Sequence, residues 1–250
     1  MRYELMIPKQ IRQAIADNIP VVLPLGVLEY HGEHLCTGVD TLVITETLAQ
    51  LESEIPFILL PAFYYGAASY AVEGPEANGS IHNRPEVLYP LASSLFMNLL
   101  RIGFRNIHVI VHHQSENFVA GMPTDLSFKL AARQTIFDFL EKQSGEGWWG
   151  KADSASYYEG LEHGDNPFNW IEAYPLLSDV IQSEYPIDHA GKLETGLMMA
   201  VCPEGVYMDH FSEEKWYTQT AKEADLDYGL TVLECVKNHL RSKLTSISKV

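Results

Sequence analysis

The feature of this sequence that most restricts its fold is an alternation of short apolar runs with long helical patterns. Three runs are nearly continuous in apolar residues, as expected of strands buried on both faces: 21–26, 57–63 and 107–113. Patterns with a helical period predict helices between and beside them, around 8–18, 41–53, 85–103 and 118–143. Strands that alternate with helices form parallel sheets whose two faces the helices cover. The sequence therefore predicts a three-layer α/β fold with a mostly parallel central sheet.

The other segments fit one domain. A last helical pattern at about 212–242 is predicted to start near Ser212, because acidic residues follow in its first turn. The segment 62–84 carries aromatic residues, Gly and Pro without a period and is predicted to be a functional loop. The irregular segment 144–170 contains three tryptophans and fits either a lid or an oligomer contact. No linker or shift in composition divides the chain, so we expect a single domain over 1–250.

The charge and cysteine content restrict the partners and the compartment. With 17 Lys and Arg against 33 Asp and Glu, the formal net charge is -16, which repels nucleic-acid phosphate and anionic membranes. The three cysteines show no ligand-spaced pair, and an odd number argues against a disulfide framework. The start of the chain lacks the pattern of a signal peptide, and no apolar run is long enough for a membrane span. We expect a cytoplasmic protein with no nucleic-acid or membrane partner.

A dense group of potential metal ligands follows the first predicted strand. Positions 27–40 read VLEYHGEHLCTGVD and place Glu29, His31, His34 and Asp40 just beyond the strand, where open α/β sheets bind ligands. In an extended chain Glu29 and His31 project to the same side, because side-chain direction repeats every two residues. Asp40 is predicted at the N-cap of the next helix, where a carboxylate is favoured even without a metal.

A second group of ligand types follows another predicted strand. After the run IHVIV come His112, His113, Gln114, Glu116 and Asn117. Two metal ions held close together need a bridging carboxylate and separate nitrogen or oxygen ligands, and the two groups supply both types. Imidazole and carboxylate without thiolate suit Zn²⁺ or Mn²⁺. The sequence therefore predicts a site for two divalent cations between the two strand ends.

The first group resembles the signature of a known family. The residues EYHGEHLCTGVD resemble E-x-H-G-x-H-L-P-x-G-x-D of the creatininase (creatinine amidohydrolase) family. The segment GSIHN at 79–83 looks like the G-T-I segment of the family, and HAGKLETGLMMAVCPEGV at 189–206 resembles its H-A-G-x-x-E-T-S run. The resemblance implies that Glu29 and His31 bind different ions, that Asp40 bridges the ions, and that His34 supports the site from just outside.

The second group departs from the family pattern, N-G-H-x-E-N or N-G-H-G-G-N, because this chain reads HHQSEN. An alignment without gaps places Glu116 on the second acidic ligand and Gln114 where the metal-binding histidine stands. His113 is the alternative ligand if the end of the strand is shifted by one residue. The sequence leaves both possibilities open.

The resemblance also assigns residues outside the metal ligands. It implies that His189 contacts the substrate and protonates the leaving group, and that Glu194 secures the loop of His189. A cap at the start of the helical pattern 192–202 is the structural alternative for His189. The resemblance also implies that tryptophans close the pocket. The candidates here are Trp148, Trp149 and Trp170, of which Trp170 is favoured by its nearness to His189 in the sequence, and packing in a subunit contact is the alternative. Members of the family are commonly hexamers, so the resemblance implies a homo-oligomer.

These features together predict a hydrolase acting on a small cyclic substrate. In the predicted reaction a hydroxide that bridges the two ions attacks the carbonyl of a cyclic amide, and Glu116 relays the proton of the water. The HHQSEN segment looks like that of inositol-catabolic members, so C–C hydrolysis of a cyclic diketone such as 3-dehydro-scyllo-inosose is a second candidate. A catalytically silent metal-binding module is a third, since the fold alone does not select a reaction.

Overall fold

The parallel sheet predicted from the sequence is confirmed. A computed structural model describes residues 1–116, 118, 120–158 and 166–245 of the chain. Its four-stranded sheet has the order β2-β1-β3-β4, and every neighbouring pair is parallel. The strands are β1 (Val21–Leu25), β2 (Ile58–Leu59), β3 (Ile107–Val111) and β4 (Ile171–Pro175).

Helices cover both faces of the sheet and complete the three-layer α/β fold. In the described ranges they are α1 (Pro8–Ala16), α2 (Val39–Leu51), α3 (Pro85–Ile102), α4 (Pro123–Ser144), α5 (Asp179–Glu184), α6 (Lys192–Val201) and α7 (Leu226–Thr245). The side chains of β1 alternate between two cores: Leu23 packs among residues of α3 and α4, and Val22 packs among residues of α2, α6 and α7. Because both faces of the strand are buried, its sequence is continuously apolar.

Several element boundaries differ from the prediction for local reasons. The strand predicted at 57–63 is only Ile58–Leu59, since the chain then leaves the sheet apart from one bridge between Leu25 and Phe63. The helix predicted from 118 begins at Pro123, which occupies its first turn. The helix predicted from Ser212 begins at Leu226, since turns and a short 3₁₀ helix precede it. Within the described residues, no helix is both long and apolar enough to cross a membrane.

Two glycines allow α6 and α7 to pack unusually closely. A Cβ atom at Gly229 of α7 would lie 1.9 Å from the carbonyl oxygen of Gly196 in α6. At Gly196, a Cβ atom would lie 2.9 Å from Cδ1 of Tyr228. Larger residues would therefore force the two helices apart. This contact fixes α6, whose first turn carries Glu194.

Candidate metal centre

Side chains from distant segments meet beyond the carboxyl ends of β1 and β3. Glu29 and His31 follow β1, and His113 follows β3. Asp40 and Glu194 come from the first turns of α2 and α6. These five residues, here named the central cluster, are all buried, with at most 4% of their surface exposed. In α/β proteins with an open parallel sheet, ligands bind beyond the carboxyl ends of the strands.

Close packing of α2 against the end of β1 positions Asp40. A Cβ atom at Gly26 would lie 2.3 Å from Oγ1 of Thr41, so glycine is required for α2 to approach this closely. The N-cap of α2 is Gly38, and Asp40 is the second residue of the helix. The prediction that Asp40 is the N-cap is therefore wrong, because the turn at Gly38 starts the helix two residues earlier. The carboxylate of Asp40 instead faces the histidines of the central cluster.

Within the central cluster, a first ligand group, which could surround one cation, combines Glu29, Asp40 and His113. The Nδ1 atom of His113 lies 3.3 Å from Oε2 of Glu29 and 3.6 Å from Oδ1 of Asp40. One ligand atom from each residue lies within 4.8 Å of the others, close enough to surround a single cation. The group has the two carboxylates and one imidazole that a Zn²⁺ or Mn²⁺ site accepts.

The second ligand group of the central cluster combines His31, Asp40 and Glu194. The Nε2 atom of His31 lies 3.4 Å from Oδ2 of Asp40 and 3.5 Å from Oε2 of Glu194. The Nδ1 atom of His31 donates a hydrogen bond of 2.9 Å to the carbonyl oxygen of Glu29, which can only accept. This bond leaves the lone pair of Nε2 directed at the two carboxylates. Asp40 therefore presents one oxygen to each group.

Unpaired buried atoms show that the central cluster fits a cation. Oε2 of Glu29, Nε2 of His31 and Oδ2 of Asp40 are buried without a hydrogen-bond partner. A buried charged or polar atom without a partner costs several kcal/mol, so native proteins pair such atoms or use them to bind a ligand. All three atoms are acceptors when the carboxylates are ionised and the imidazole is neutral, and a divalent cation would satisfy them together.

The electrostatics of the central cluster suit a cation at His31 and Asp40, whereas Glu194 and His113 favour forms that carry a proton. Burial raises the pKa of Glu194 well above its usual value. Burial lowers the pKa of His31 to about 3, so its imidazole is neutral at pH 7. Burial alone would raise the pKa of Asp40, but His31 and His113 hold it below its usual value. Burial would lower the pKa of His113, but Asp40 and Glu29 hold it well above the usual value. A bound cation would take the place of that proton, so metal binding should release it.

Glu116 is placed differently from the other acidic residues. Its Oε1 accepts a hydrogen bond of 2.7 Å from Nδ1 of His112, and its Oε2 is buried without a partner. Burial alone would lower the pKa of His112, but the charge of Glu116 raises it to about 9. The Nε2 atom of His112 lies 3.7 Å from Oε1 of Glu194. Sequence reasoning offered His112 only as one of several possible metal ligands after β3 and did not predict its contact with Glu116.

The structure places the two candidate ligands after β3 differently. The side chain of His113 faces Glu29 and Asp40. Gln114 is half-buried and has a φ of 54°, which a residue with a side chain seldom adopts. The turn at Gln114 follows directly after the residue that enters the central cluster. Asn117 lies outside the described residues.

Two further histidines support the centre from its edge. The Nε2 atom of His189 donates a hydrogen bond of 2.9 Å to the carbonyl oxygen of Tyr30, and its Nδ1 lies 3.9 Å from Oε2 of Glu29. The ring of His189 lies 4.4 Å from that of His31. His34 is hydrogen-bonded through Nε2 to Oγ1 of Thr195 at 3.1 Å, which links the first ligand segment to α6.

The loop of His189 is also tied to α6. Oε2 of Glu194, the atom that faces His31, accepts a hydrogen bond of 2.6 Å from the backbone of Ala190. Glu194 therefore both holds this loop and enters the central cluster. Sequence reasoning found only the first role, because the second depends on how α6 is placed in the fold.

Trp170 does not lie at the central cluster. It directly precedes β4, and the first residue of β4 pairs with the first residue of β3. Trp170 is therefore at the amino end of the sheet, opposite the central cluster. Its ring lies 4.5 Å from the guanidinium of Arg105 and 6.2 Å from the ring of Phe139. The prediction that Trp170 closes the pocket is wrong within a single chain, because the direction of β4 carries it away.

Comparison with known proteins agrees with this geometry. The sequence model of a family described as creatinine amidohydrolase matches residues 4–243. The creatinine amidohydrolase of Pseudomonas putida is 25% identical over 209 residues, which cover 80% of this chain and 70% of that protein. The 3-dehydro-scyllo-inosose hydrolase of Thermotoga maritima is 22% identical over 227 residues, which cover 91% of this chain and 62% of that protein.

Solved structures share the fold over nearly the whole chain. A mutant creatininase complexed with creatine superposes with a TM-score of 0.73 at 19% identity, covering 100% of this chain and 99% of its own. A manganese creatininase gives a TM-score of 0.67 at 20% identity, covering 98% of each chain. A mutant creatininase of Zn-Zn type gives 0.67 at 19% identity, again covering 98% of each chain. Since the family match spans residues 4–243, this chain belongs to the creatininase family of hydrolases.

Proposed function

We propose that this protein is a metal-dependent hydrolase that binds two divalent cations, Zn²⁺ or Mn²⁺, and opens a small cyclic amide such as creatinine. The observation that carries the proposal is the placement of Asp40. Its Oδ1 faces His113 and its Oδ2 faces His31, which is the arrangement needed of a carboxylate shared by two ions.

Each ion has its own set of ligands in this proposal. Glu29, Asp40 and His113 would hold one cation, and His31, Asp40 and Glu194 would hold the other. When bound, paired divalent cations acidify water and polarise a carbonyl oxygen. Burial of the ligands excludes bulk water and strengthens their interaction with the cations.

The remaining roles fall to residues of the chain at the edge of the centre. His189 is anchored through Nε2 to Tyr30, so its Nδ1 is the atom that can hold a proton for the leaving group. Glu116 is tied through Oε1 to His112, and its unpaired Oε2 is the atom that we expect to accept a proton. His189 would thus act as the general acid and Glu116 as the general base.

A second substrate class is favoured by the segment after β3. The family pattern places a histidine where this chain has Gln114, and the structure turns His113 towards Glu29 and Asp40 instead. This departure, with the match to an inosose hydrolase over 91% of the chain, supports C–C hydrolysis of a cyclic diketone as the alternative reaction. By family resemblance we also expect a homo-oligomer.

The experiment starts from protein stripped of metal by a chelator and reloaded with Zn²⁺ or Mn²⁺. Elemental analysis counts the ions per chain, and product assays measure creatine from creatinine and the acid formed from 3-dehydro-scyllo-inosose. We expect two ions per chain and turnover of one substrate. Asp40→Asn should lose both bound ions and turnover, since both ligand groups share this residue. The matched control is Asp138→Asn in α4, an exposed aspartate that should keep metal and activity.

The outcomes separate the candidate functions. Release of creatine supports the amidohydrolase, and release of an acid from the inosose supports the alternative. Two bound ions without turnover of either substrate favour a silent metal-binding module. A protein that binds neither metal, or an Asp40→Asn variant that retains both ions, refutes the proposed centre.

A further inference from the structure

A buried hydroxyl without a partner lies beside the metal centre. The Oη atom of Tyr217 is buried and has no hydrogen-bond partner among the described residues. The ring of Tyr217 packs against the core formed by α2, α6 and α7, so the hydroxyl is held in place. Leaving a buried hydroxyl unsatisfied is unfavourable, so such groups are few in native structures and each calls for an explanation.

The surroundings of Tyr217 connect it to the central cluster. Its ring meets the ring of His189 edge to face, with 5.3 Å between the centroids. The ring of His189 is itself 4.4 Å from that of His31, and its Nδ1 lies 3.9 Å from Oε2 of Glu29. His189 therefore contacts Tyr217 on one side and lies close to two members of the central cluster, His31 and Glu29.

The segment that carries Tyr217 is fixed at several points. Oγ1 of Thr218 donates to the carbonyl oxygens of Ser212 and Lys215, both at 2.9 Å, which closes the turn. Lys215 forms an ion pair with Glu73, so the turn is joined to the irregular segment 62–84.

A cavity of about 330 Å³ lies beside this turn. Lys215 and Thr218, the neighbours of Tyr217, contribute to its lining. Tyr30, whose carbonyl oxygen accepts the hydrogen bond of His189, lines it as well. The cavity therefore lies between the turn that carries Tyr217 and Tyr30, the residue that anchors His189.

We infer that the hydroxyl of Tyr217 donates a hydrogen bond to the substrate and so positions its carbonyl for attack. A phenol is protonated at neutral pH, and the carboxylates of Glu33 and Glu73 in the cavity lining favour a group that acts as a donor. The substrate should then carry an oxygen or nitrogen acceptor in addition to the reacting carbonyl. This inference rests on the proposed hydrolysis and adds a residue that the sequence motifs do not contain.

The test compares Tyr217→Phe with Tyr89→Phe, both in the metal-loaded full chain. Tyr89 is also partly buried, but it packs against the core on the other face of the sheet. Each substitution removes one hydroxyl and keeps the ring. We expect Tyr217→Phe to lower kcat/KM by about tenfold, mainly through KM, because one substrate hydrogen bond is lost. We expect its melting temperature to stay the same or rise, because no protein partner is lost.

The inference and the proposed function can fail separately. If the wild type hydrolyses a substrate and Tyr217→Phe has a kcat/KM within twofold of the wild type, the inference is overturned. If Tyr217→Phe melts several degrees below both the wild type and Tyr89→Phe, the hydroxyl has a structural partner and the inference is also overturned. If the wild type hydrolyses neither creatinine nor the inosose, the proposed function fails. The melting temperatures then still decide whether the hydroxyl is held unpaired.

Discussion

Replacing Gly229 with alanine should separate α6 from α7 and weaken metal binding through Glu194. The new Cβ atom would lie 1.9 Å from the carbonyl oxygen of Gly196, whereas such atoms do not approach within 3.0 Å, so the helices must move apart by about 1.1 Å. Alanine gains about 1 kcal/mol of helix propensity. Overpacking costs about 3 kcal/mol here, at the upper end of the usual range, because a backbone carbonyl cannot rotate away.

The net loss is therefore about 2 kcal/mol, which lowers the melting temperature by about 4–8 °C in a chain of this length. Because α6 carries Glu194 two residues before Gly196, the affinity for Zn²⁺ should fall as well, by about tenfold. Calorimetry of the metal-free protein measures the first effect, and competition with a chelator measures the second.

The matched control for this prediction is Gly150→Ala. A Cβ atom at Gly150 meets nothing within 4 Å, so its melting temperature and metal affinity should equal those of the wild type. Equal melting temperatures for the two variants would refute the close contact of the helices. A destabilised Gly229→Ala variant with unchanged zinc affinity would instead show that the position of α6 does not control the centre.

Two further predictions concern the histidines. In metal-loaded protein, His113→Ala should lose one of two ions, whereas Gln114→Ala should keep both; elemental analysis decides, and equal metal content in the two variants contradicts the assignment. Burial lowers the pKa of His108 to about 4, and its ring is satisfied in the neutral form by Asn106 and Tyr174. The unfolded chain binds this proton below pH 6.5 and the folded chain only near pH 4, so stability present above pH 6.5 is lost as the pH falls. Urea titrations at pH 7 and pH 4 should show a loss about 3 kcal/mol larger for the wild type than for His108→Gln, and equal losses would exclude this role.

The central strands and the first ligand segment could be predicted because their signals are local. The strands β1 and β3 are buried on both faces and read as continuous apolar runs, and residues 29–40 carry the whole spacing of a motif. The strand β4, with the sequence IEAYP, has only one fully buried residue and gives no such run. Without β4, nothing in the sequence shows at which end of the sheet Trp170 lies. The error at Trp170 therefore follows from the missed strand.

The contacts of Glu194 and Glu116 could not be predicted from spacing alone, because the segment after β3 departs from the family pattern and α6 lies far away in the sequence. This chain has His112 and His113 where the family pattern has Asn and Gly. His113 reaches Glu29 and Asp40, and His112 binds Glu116 through a hydrogen bond of 2.7 Å. With Glu116 engaged in this way, the carboxylate beside His31 and Asp40 is Glu194, which enters from a helix more than 150 residues away in the sequence.

The position of Glu194 depends on the packing of α6. Glu194 reaches His31 from α6, which packs closely against α7 at Gly196 and Gly229. The second ligand group therefore depends on helix packing, whereas the first group comes from segments directly attached to β1 and β3. In the proposed two-ion centre, loosening the packing of α6 should weaken cation binding at His31 more than cation binding at His113.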